Sequence, residues 1–578
     1  MAITKVKGSV VGNVLDNISA LLSANPSGEY SILGYHTAGD GGGGEFYWDA
    51  SQDKANHNGG TIIDPAITFP SDWTNQTQVT AWFAAGTGTG CWVRVYNDVL
   101  KPEYFGVIGD GVRKELVQLQ ALFSTQPSGH YELTKGHVYN LGTVATSDPI
   151  TSNVKHFYIQ SREHFKIIGN NATFKSESLH AVKPQNFVFY LEDTNNIDID
   201  NVNGDGVSFD RDPGYSGMDL FVIHNQSRST SGVRIISKGK NLGRLVLAAS
   251  ANPALYRTRN VKLHVELDSG YYNVNLSNNC DDLEATIISN NVVRSYFPYG
   301  VENHVVRVIS RNHYKFSDIL IKTYEYDTRN ISLKYELDTS NSANSLCSIE
   351  HQSDTQDKFL ENITIDVNIK NHNSGPQFSF YQYNIAGVPQ PTTDSTFANI
   401  RLKGVIQTRP LTSDNFVIGV SPNKAALLFI EPSLNPVFED TKGFTVILGN
   451  KIVASKRGNL NGDTLIPVPF LVGSGWGGRL NLWAIEDQAT LTTKATSRIY
   501  NLLGATSNPQ PAAIVNSDLV SNVENGGPLA MTIGLDTSNT PEGLPAIGVN
   551  ITGHPAGVTG YLLLELEITG QRFLTGWY

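Results

Sequence analysis

From about residue 130 to residue 425, short apolar stretches alternate with polar turns many times over. His164-Phe165-Lys166-Ile167-Ile168-Gly169, Asn196-Ile197-Asp198-Ile199-Asp200 and Gly232-Val233-Arg234-Ile235-Ile236 open the series. Asn260-Val261-Lys262-Leu263, Asp282-Leu283-Glu284-Ala285, Asp318-Ile319-Leu320-Ile321, Asn330-Ile331-Ser332-Leu333, Asn362-Ile363-Thr364-Ile365 and Asn399-Ile400-Arg401-Leu402 continue it. Most begin with Asn or Asp and then alternate with a period of two, so one row of side chains faces a core. The same opening repeated this often predicts equivalent strands stacked in a coiled β-solenoid. Asn260 to Asp282 is one coil of 22 residues; Asp318 to Asn330 is 12 and Asn330 to Asn362 is 32, so loops must interrupt the coils. An array of β-sandwiches with hairpin turns is the rival reading, and the recurring Asn-Ile opening favours stacking.

The flanks read differently. Residues 1–105 form a small separate domain, with a short helix over 14–22 and strands at Glu45-Phe46-Tyr47-Trp48 and Cys91-Trp92-Val93-Arg94-Val95-Tyr96. The run Gly39-Asp40-Gly41-Gly42-Gly43-Gly44 lacks a following Lys-Ser/Thr and leads into a strand, so a permissive turn is expected rather than a phosphate cradle. A helix is expected over 115–123, with Leu116, Leu119 and Leu122 on one side. Beyond about 430, fuller strands such as Phe444-Thr445-Val446-Ile447-Leu448 and Tyr561-Leu562-Leu563-Leu564 are separated by Pro- and Gly-bearing loops. The expected organisation is all-β: head 1–105, solenoid 106–428, and one or two C-terminal β-sandwich modules in 429–578.

Composition narrows the functional classes. Charged residues make up 17% of the 578, against about a quarter in ordinary domains, and the net charge is −11. Asn, Ser, Thr and Gly must then occupy much of the surface, which suits strands and tight turns. A nucleic-acid partner is not expected without a basic face. Cys91, Cys280 and Cys347 are too few and too scattered for a disulfide framework, and no clustered ligands suggest a metal or cofactor site. No signal peptide is visible, and no apolar run approaches the roughly 18 residues of a membrane span.

The segment Gly34-Tyr35-His36-Thr37-Ala38-Gly39-Asp40-Gly41-Gly42-Gly43-Gly44-Glu45-Phe46-Tyr47-Trp48-Asp49 resembles the head of many phage tailspikes. So do Asn58-Gly59-Gly60-Thr61-Ile62-Ile63 and Trp92-Val93-Arg94-Val95-Tyr96, and Phe105-Gly106-Val107-Ile108-Gly109-Asp110-Gly111 is similar to the start of their pectate-lyase-like right-handed parallel β-helix. The resemblance covers residues 30–111 by motif and the coil region by texture alone. It implies a homotrimer, attachment to the phage tail or an adaptor protein through the head, a C-terminal module in 429–578 serving trimerisation and/or carbohydrate binding, a place on the virion, and extracellular depolymerisation of capsular polysaccharide or O-antigen. The family usually continues Gly-Asp-Gly-Val/Thr-x-Asp-Asp; here Gly109-Asp110-Gly111-Val112-Arg113-Lys114-Glu115 departs from it.

Glycoside hydrolysis needs two carboxyl groups flanking one bond. Stacked coils lie ~4.8 Å apart, so carboxylates one coil apart in sequence can meet. Asp281, Glu302, Glu325 and Glu350 follow one another at such intervals. Glu302 with Glu325 would suit the ~5 Å spacing of a retaining enzyme, and Glu302 with Glu350 the ~9.6 Å spacing of an inverting one. Around them, Arg294, Tyr296, Tyr299, His304, Arg307 and His351 supply stacking rings and cations for a glycan. Tyr299, His304 and Arg307 leave open a lyase, which needs a base and a cation for the enolate. Asp205, Asp210 and Asp212 form a second acidic patch, expected as a surface loop. No Gly-x-Ser-x-Gly motif points to an esterase.

Overall fold

A computed structural model of the chain describes residues 13–125, 129–142, 154–177, 186–206, 217–277, 280–323, 326–352, 358–372, 375–383, 396–407, 416–418, 426–434, 436, 444–449, 451–467, 475–485, 495–507, 510–525, 532–539, 545–554, 556 and 560–569. Two compact units emerge: Met1–Asn275 with Leu283–Ile287, and Leu276–Asp282 with Ile288–Tyr578. Among the described residues, no helix is long and apolar enough to cross a membrane.

The first unit begins with the head. Glu29–Ile32, Gly44–Asp53, Thr89–Val95 and Ile62–Ile63 pair antiparallel in that order, and Asn13–Leu15 adds a parallel edge. The helix expected over 14–22 starts later, at Ile18, because Asn17 is extended and its side chain caps the Ala20 N–H. The glycine run is a turn built on two side chains. The Asp40 carboxylate accepts the backbone N–H groups of Tyr35, His36, Thr37 and Gly42. The buried Arg94 guanidinium donates to the carbonyls of Gly42, Gly43 and Gly60 and lies 4.4 Å from the Phe46 ring centroid. These N–H groups already serve a carboxylate, so they form no phosphate cradle. A Cβ on Gly42 would stand 2.5 Å from the Glu103 carbonyl oxygen, which explains glycine there.

Helix Leu116–Ser124 follows, with Leu119, Leu122 and Phe123 buried. The Glu115 carboxylate at its start accepts the N–H groups of Ile108 at 2.6 Å and Gly109 at 2.9 Å. Burial pushes that carboxyl up to about 7.

Parallel coils then stack. In the first unit one ladder runs Phe165–Ser176, Ile197–Gly206, Thr230–Ser250, with Phe165, Ile197 and Val233 in register. A second ladder runs Val154–Gln160, Asn186–Glu192, Met218–Asn225 and on to the end of Thr230–Ser250. In the second unit, Glu302–Arg311, Thr328–Ser340, Phe359–His372, Thr396–Ile406 and Ala426–Ile430 form one ladder. The end of Asp281–Tyr299, then Ile319–Thr323, Cys347–Gln352, Phe378–Tyr383 and Phe416–Ile418 form the other. Both units are thus parallel β-helix, with Ile331, Leu333, Ile363, Ile365, Ile400 and Leu402 among the inward rows. Burying each such side chain is worth ~1.5–3 kcal/mol.

The Asn and Asp residues that open the strands are the corners. Asn196, Asn260, Asp282, Asn303, Asn330, Asn362 and Asn399 all have φ between 48° and 60°, the left-handed region that Asn tolerates best after Gly. In the second unit their side chains form a ladder. Asn303, Asn330, Asn362 and Asn399 each donate an amide N–H to the corner residue one coil earlier, at 3.1, 3.0, 3.1 and 2.8 Å. Asp318, expected to open a strand in the same way, does something else. It is buried and accepts from the Ser295 hydroxyl at 2.5 Å and the Tyr335 hydroxyl at 2.8 Å.

Ala426–Ile430 still pairs in parallel with Phe444–Leu448. Lys451–Gly458, Gly560–Thr569, Gly475–Ile485, Ala495–Ser507 and Gln510–Asn525 then pair antiparallel in that order. Gly462–Pro467, Pro545–Thr552 and Thr532–Asn539 form a second antiparallel sheet.

Candidate functional site

Register decides which side chains meet. In the second unit Tyr299, Lys322, Glu350 and Tyr381 are successive partners, one per coil. The neighbours of Lys322 in its strand, Ile319 and Ile321, are buried, whereas Lys322, Glu350, Tyr381 and Tyr299 are half-buried. The column therefore faces outward from the coil. Glu350 accepts a hydrogen bond from the Ser348 hydroxyl at 2.8 Å. The Lys322 ammonium lies 5.0 Å from the Phe297 centroid and 5.2 Å from that of Tyr299. Arg294 lies 5.2 Å from Phe297 and 5.6 Å from Phe316, and its buried Nε has no hydrogen-bond partner among the described residues. The Tyr299 hydroxyl donates to Ser277 Oγ at 2.5 Å, which fixes the ring.

Electrostatics follow from this crowding. Burial pulls the Lys322 ammonium down to about 8, against the opposing pull of Glu350 and with a further push from Arg294. Burial, and then Glu350, raise the Tyr381 hydroxyl above its ordinary range. Two cations, one carboxylate and four rings in one cluster can hold an acidic sugar: rings stack on C–H surfaces and cations take the carboxylate.

The pairing expected from sequence intervals is corrected here. Glu302 opens strand Glu302–Arg311, and its register partner is Arg329, which pairs in turn with Glu361. Glu350 belongs to the other ladder, so Glu302 and Glu350 do not share a column. Loops of unequal length make the coils 21, 27, 32 and 37 residues long at the Asn corner, so a constant interval crosses from one ladder to the other. The two columns remain near each other where they share a coil. Tyr299 and Glu302 are three residues apart, which limits their Cα separation to ~10 Å. Glu302 is half-buried, its N–H donates to Asp281 Oδ1 at 3.2 Å, and its carboxylate makes no ion pair among the described residues. Glu325 lies outside the described residues, as do Asp210 and Asp212.

Three expected glycan contacts turn inward. Tyr296 and His304 are both 0% exposed. The Tyr296 hydroxyl meets His304 Nδ1 at 2.5 Å and His304 Nε2 meets the Cys280 carbonyl at 2.9 Å. Nε2 must then carry the proton and Nδ1 accept from the phenol. His351 is buried too, with Nε2 3.1 Å from the Lys358 carbonyl, and burial pulls it down to about 4. The alternation that points Glu350 outward points His351 into the coil. Arg307 is exposed on the other ladder and pairs with Glu336 at 2.9 Å. Lys322, Tyr381 and Phe316 escape sequence reasoning because only the stacking of coils gathers them.

Comparison with known proteins gives a partial match. Residues 14–97 match the family of the phage tail protein small four-stranded beta-sheet domain. That agrees with the four antiparallel strands of the head and with the resemblance to phage tail proteins carried by its motifs. No curated protein matches the chain. Among solved structures, the tailspike protein of Acinetobacter baumannii phage AM24 is 10% identical, over 97% of this chain and 94% of that chain, with a TM-score of 0.33. The enzymatically active domain of tailspike protein 4 of bacteriophage CBA120 is 12% identical, over 97% and 76%, with a TM-score of 0.35. Pantoea stewartii WceF, a glycan biofilm modifying enzyme with a tailspike-like parallel beta-helix fold, is 12% identical, over 97% and 71%, at 0.29. What the chain itself presents is a parallel β-helix behind a head similar to a phage tail domain.

Proposed function

We propose that this protein is a phage tailspike that binds a bacterial surface polysaccharide, capsule or O-antigen, and hydrolyses its glycosidic bonds. The observation that carries the reading is the outward column of Tyr299, Lys322, Glu350 and Tyr381, flanked by Arg294 and Phe297. Glu350 acts as one carboxyl of the pair. Glu302, which the chain holds within ~10 Å of Tyr299, two coils before Glu350, is the second. Arg294 and Lys322 select an acidic sugar residue, which they hold by charge in a protein that is otherwise net negative. Homotrimer assembly, and attachment to the tail or an adaptor through the head, belong to the same proposal; the head match to a phage tail domain supports the attachment. On this reading the protein sits on the virion and acts outside the bacterial cell. The test is Glu350→Gln and, separately, Glu302→Gln, with reducing-end release measured on polysaccharide from a strain on which the wild type forms halos. Each variant is expected to stop cleavage and keep binding; wild-type release by Glu350→Gln would sink the assignment.

One observation favours a second reading, β-elimination. With its ammonium brought down to about 8 beside Arg294, Lys322 is in part a free amine near neutral pH, a base next to a cation that can carry a uronate enolate. An unsaturated product absorbs ultraviolet light and a hydrolysis product does not, so absorbance during depolymerisation separates the two.

A further inference from the structure

The first unit carries a second outward polar face that no part of the cleavage reading uses. Strands Val154–Gln160, Asn186–Glu192 and Met218–Asn225 stack so that Tyr158, Tyr190, Val222 and Leu247 form one column on the outer side of the coil, in which Tyr158 is exposed and the other three are buried. Gln160, Glu192, His224 and Ala249 form the column beside it. Glu192 is nearly buried and sits at the centre. Its Oε1 accepts the Tyr158 hydroxyl at 2.5 Å and the Gln160 amide N–H at 2.8 Å. Its Oε2 lies 3.7 Å from Lys155 Nζ and 3.5 Å from His224 Nδ1. The Lys155 ammonium also lies 4.2 Å from the Tyr158 centroid and 3.8 Å from that of Tyr190. Phe187, Tyr190, Val222 and Leu247 pack as an apolar cluster next to it.

We infer that this face is a second saccharide-binding site, specific for an uncharged sugar residue of the same polysaccharide, and thus resting on the glycan reading above. Tyr158 is the platform. It is 46% exposed, and it is the aromatic residue among the exposed large apolar side chains described for the solenoid. Its hydroxyl is pinned by Glu192, so the ring is held in place before any ligand arrives, which lowers the entropic cost of stacking. Charge selects the ligand. Lys155 is balanced by Glu192, and burial holds His224 below its ordinary value, so it is neutral at pH 7. The nearby pair of Asp219 and Arg244 is also balanced, at 2.7 Å. Asp193 adds negative charge beside Tyr158, Tyr190 and His224, so the face has no surplus positive charge: it offers nothing to a sugar carboxylate and does offer stacking and hydrogen bonds to a neutral hexose.

The probe is a printed array of bacterial surface polysaccharides, neutral and acidic, read with labelled full-length protein. The parent is Glu350→Gln; its derivatives are Glu350→Gln with Tyr158→Ala and Glu350→Gln with Tyr158→Phe. Tyr158→Ala is expected to weaken binding to polysaccharides containing neutral residues at least tenfold. Tyr158→Phe is expected to lose less, because the ring remains. An unchanged thermal midpoint establishes that an Ala effect is not unfolding; with a lowered midpoint, a Tyr158→Phe variant that binds as weakly as Ala overturns the stacking role. Equal binding by the parent and the Ala variant overturns the site, and so does binding of no spot by the parent. Cleavage at the wild-type rate by Glu350→Gln would instead count against the catalytic reading, and the comparison at Tyr158 would still stand.

Discussion

The two outward faces, one in each unit, are built by the same strand geometry and differ in what surrounds the central carboxylate. Glu350 has a cation below and a phenol above, and its one described hydrogen bond comes from the Ser348 hydroxyl two residues away. Glu192 is surrounded: a phenol and an amide hold one oxygen, and an ammonium and an imidazole approach the other. A half-buried carboxylate with few partners can exchange a proton with a ligand. One whose partners already occupy it positions them instead. The lesson is that stacking decides which residues meet, while the count of partners decides what the carboxylate is able to do.

The largest test of this contrast is removal of each carboxylate. Glu350→Gln is expected to lower kcat by ~10²–10⁴, the range of general acid–base catalysis. Glu192→Gln is expected to act through KM, raising it by about tenfold or less, with initial rates over a substrate series as the measurement. A comparable fall in kcat from Glu192→Gln would erase the distinction between the faces.

Next is charge. Arg294→Ala should weaken retention of an acidic polysaccharide by roughly tenfold, the cost of ~1.5 kcal/mol for a lost charged hydrogen bond. Added salt should weaken wild-type binding and shrink the difference. The first unit's face should respond to salt far less, measurable by repeating the titration with a neutral polysaccharide.

Protonation gives a smaller and signed effect. Lys322 is charged below about 8 and neutral above it, so retention of an acidic glycan by Glu350→Gln should fall as pH rises from 7 to 9. Lys322→Arg should flatten that profile, because a guanidinium keeps its charge. A profile that rises with pH contradicts the assignment.

The smallest effect expected is on the scaffold of the second unit. Asn330→Ala removes one amide donor and one acceptor from the corner ladder, and each such bond is worth ~0.5–1.5 kcal/mol net. Asn330→Gly should cost less, because the left-handed corner at φ 56° suits glycine. Urea unfolding of the three proteins under one set of conditions measures this.

Much of the fold was legible from residue type. An Asn followed by alternating apolar positions marks a left-handed corner and an inward row, both of which are local properties, and the corners at Asn260, Asp282, Asn330, Asn362 and Asn399 stand where that pattern puts them. The head was legible because Asp40 and its glycines act on residues within a short stretch. The site was less so. Glu350 emerged as a candidate from its interval along the chain, but its neighbours Lys322 and Tyr381 did not, and Tyr296, His304 and His351 looked equally available before alternation sent them inward.

Local sequence determined the period, the corners and the direction each strand's side chains take, because these depend on backbone preferences over a few residues. The tertiary structure alone decided which coils stand in register, since that depends on loop lengths that vary between corners and on burial that no interval encodes. Hence Glu302 lies across from Arg329, and Glu350 stands between a lysine and a tyrosine.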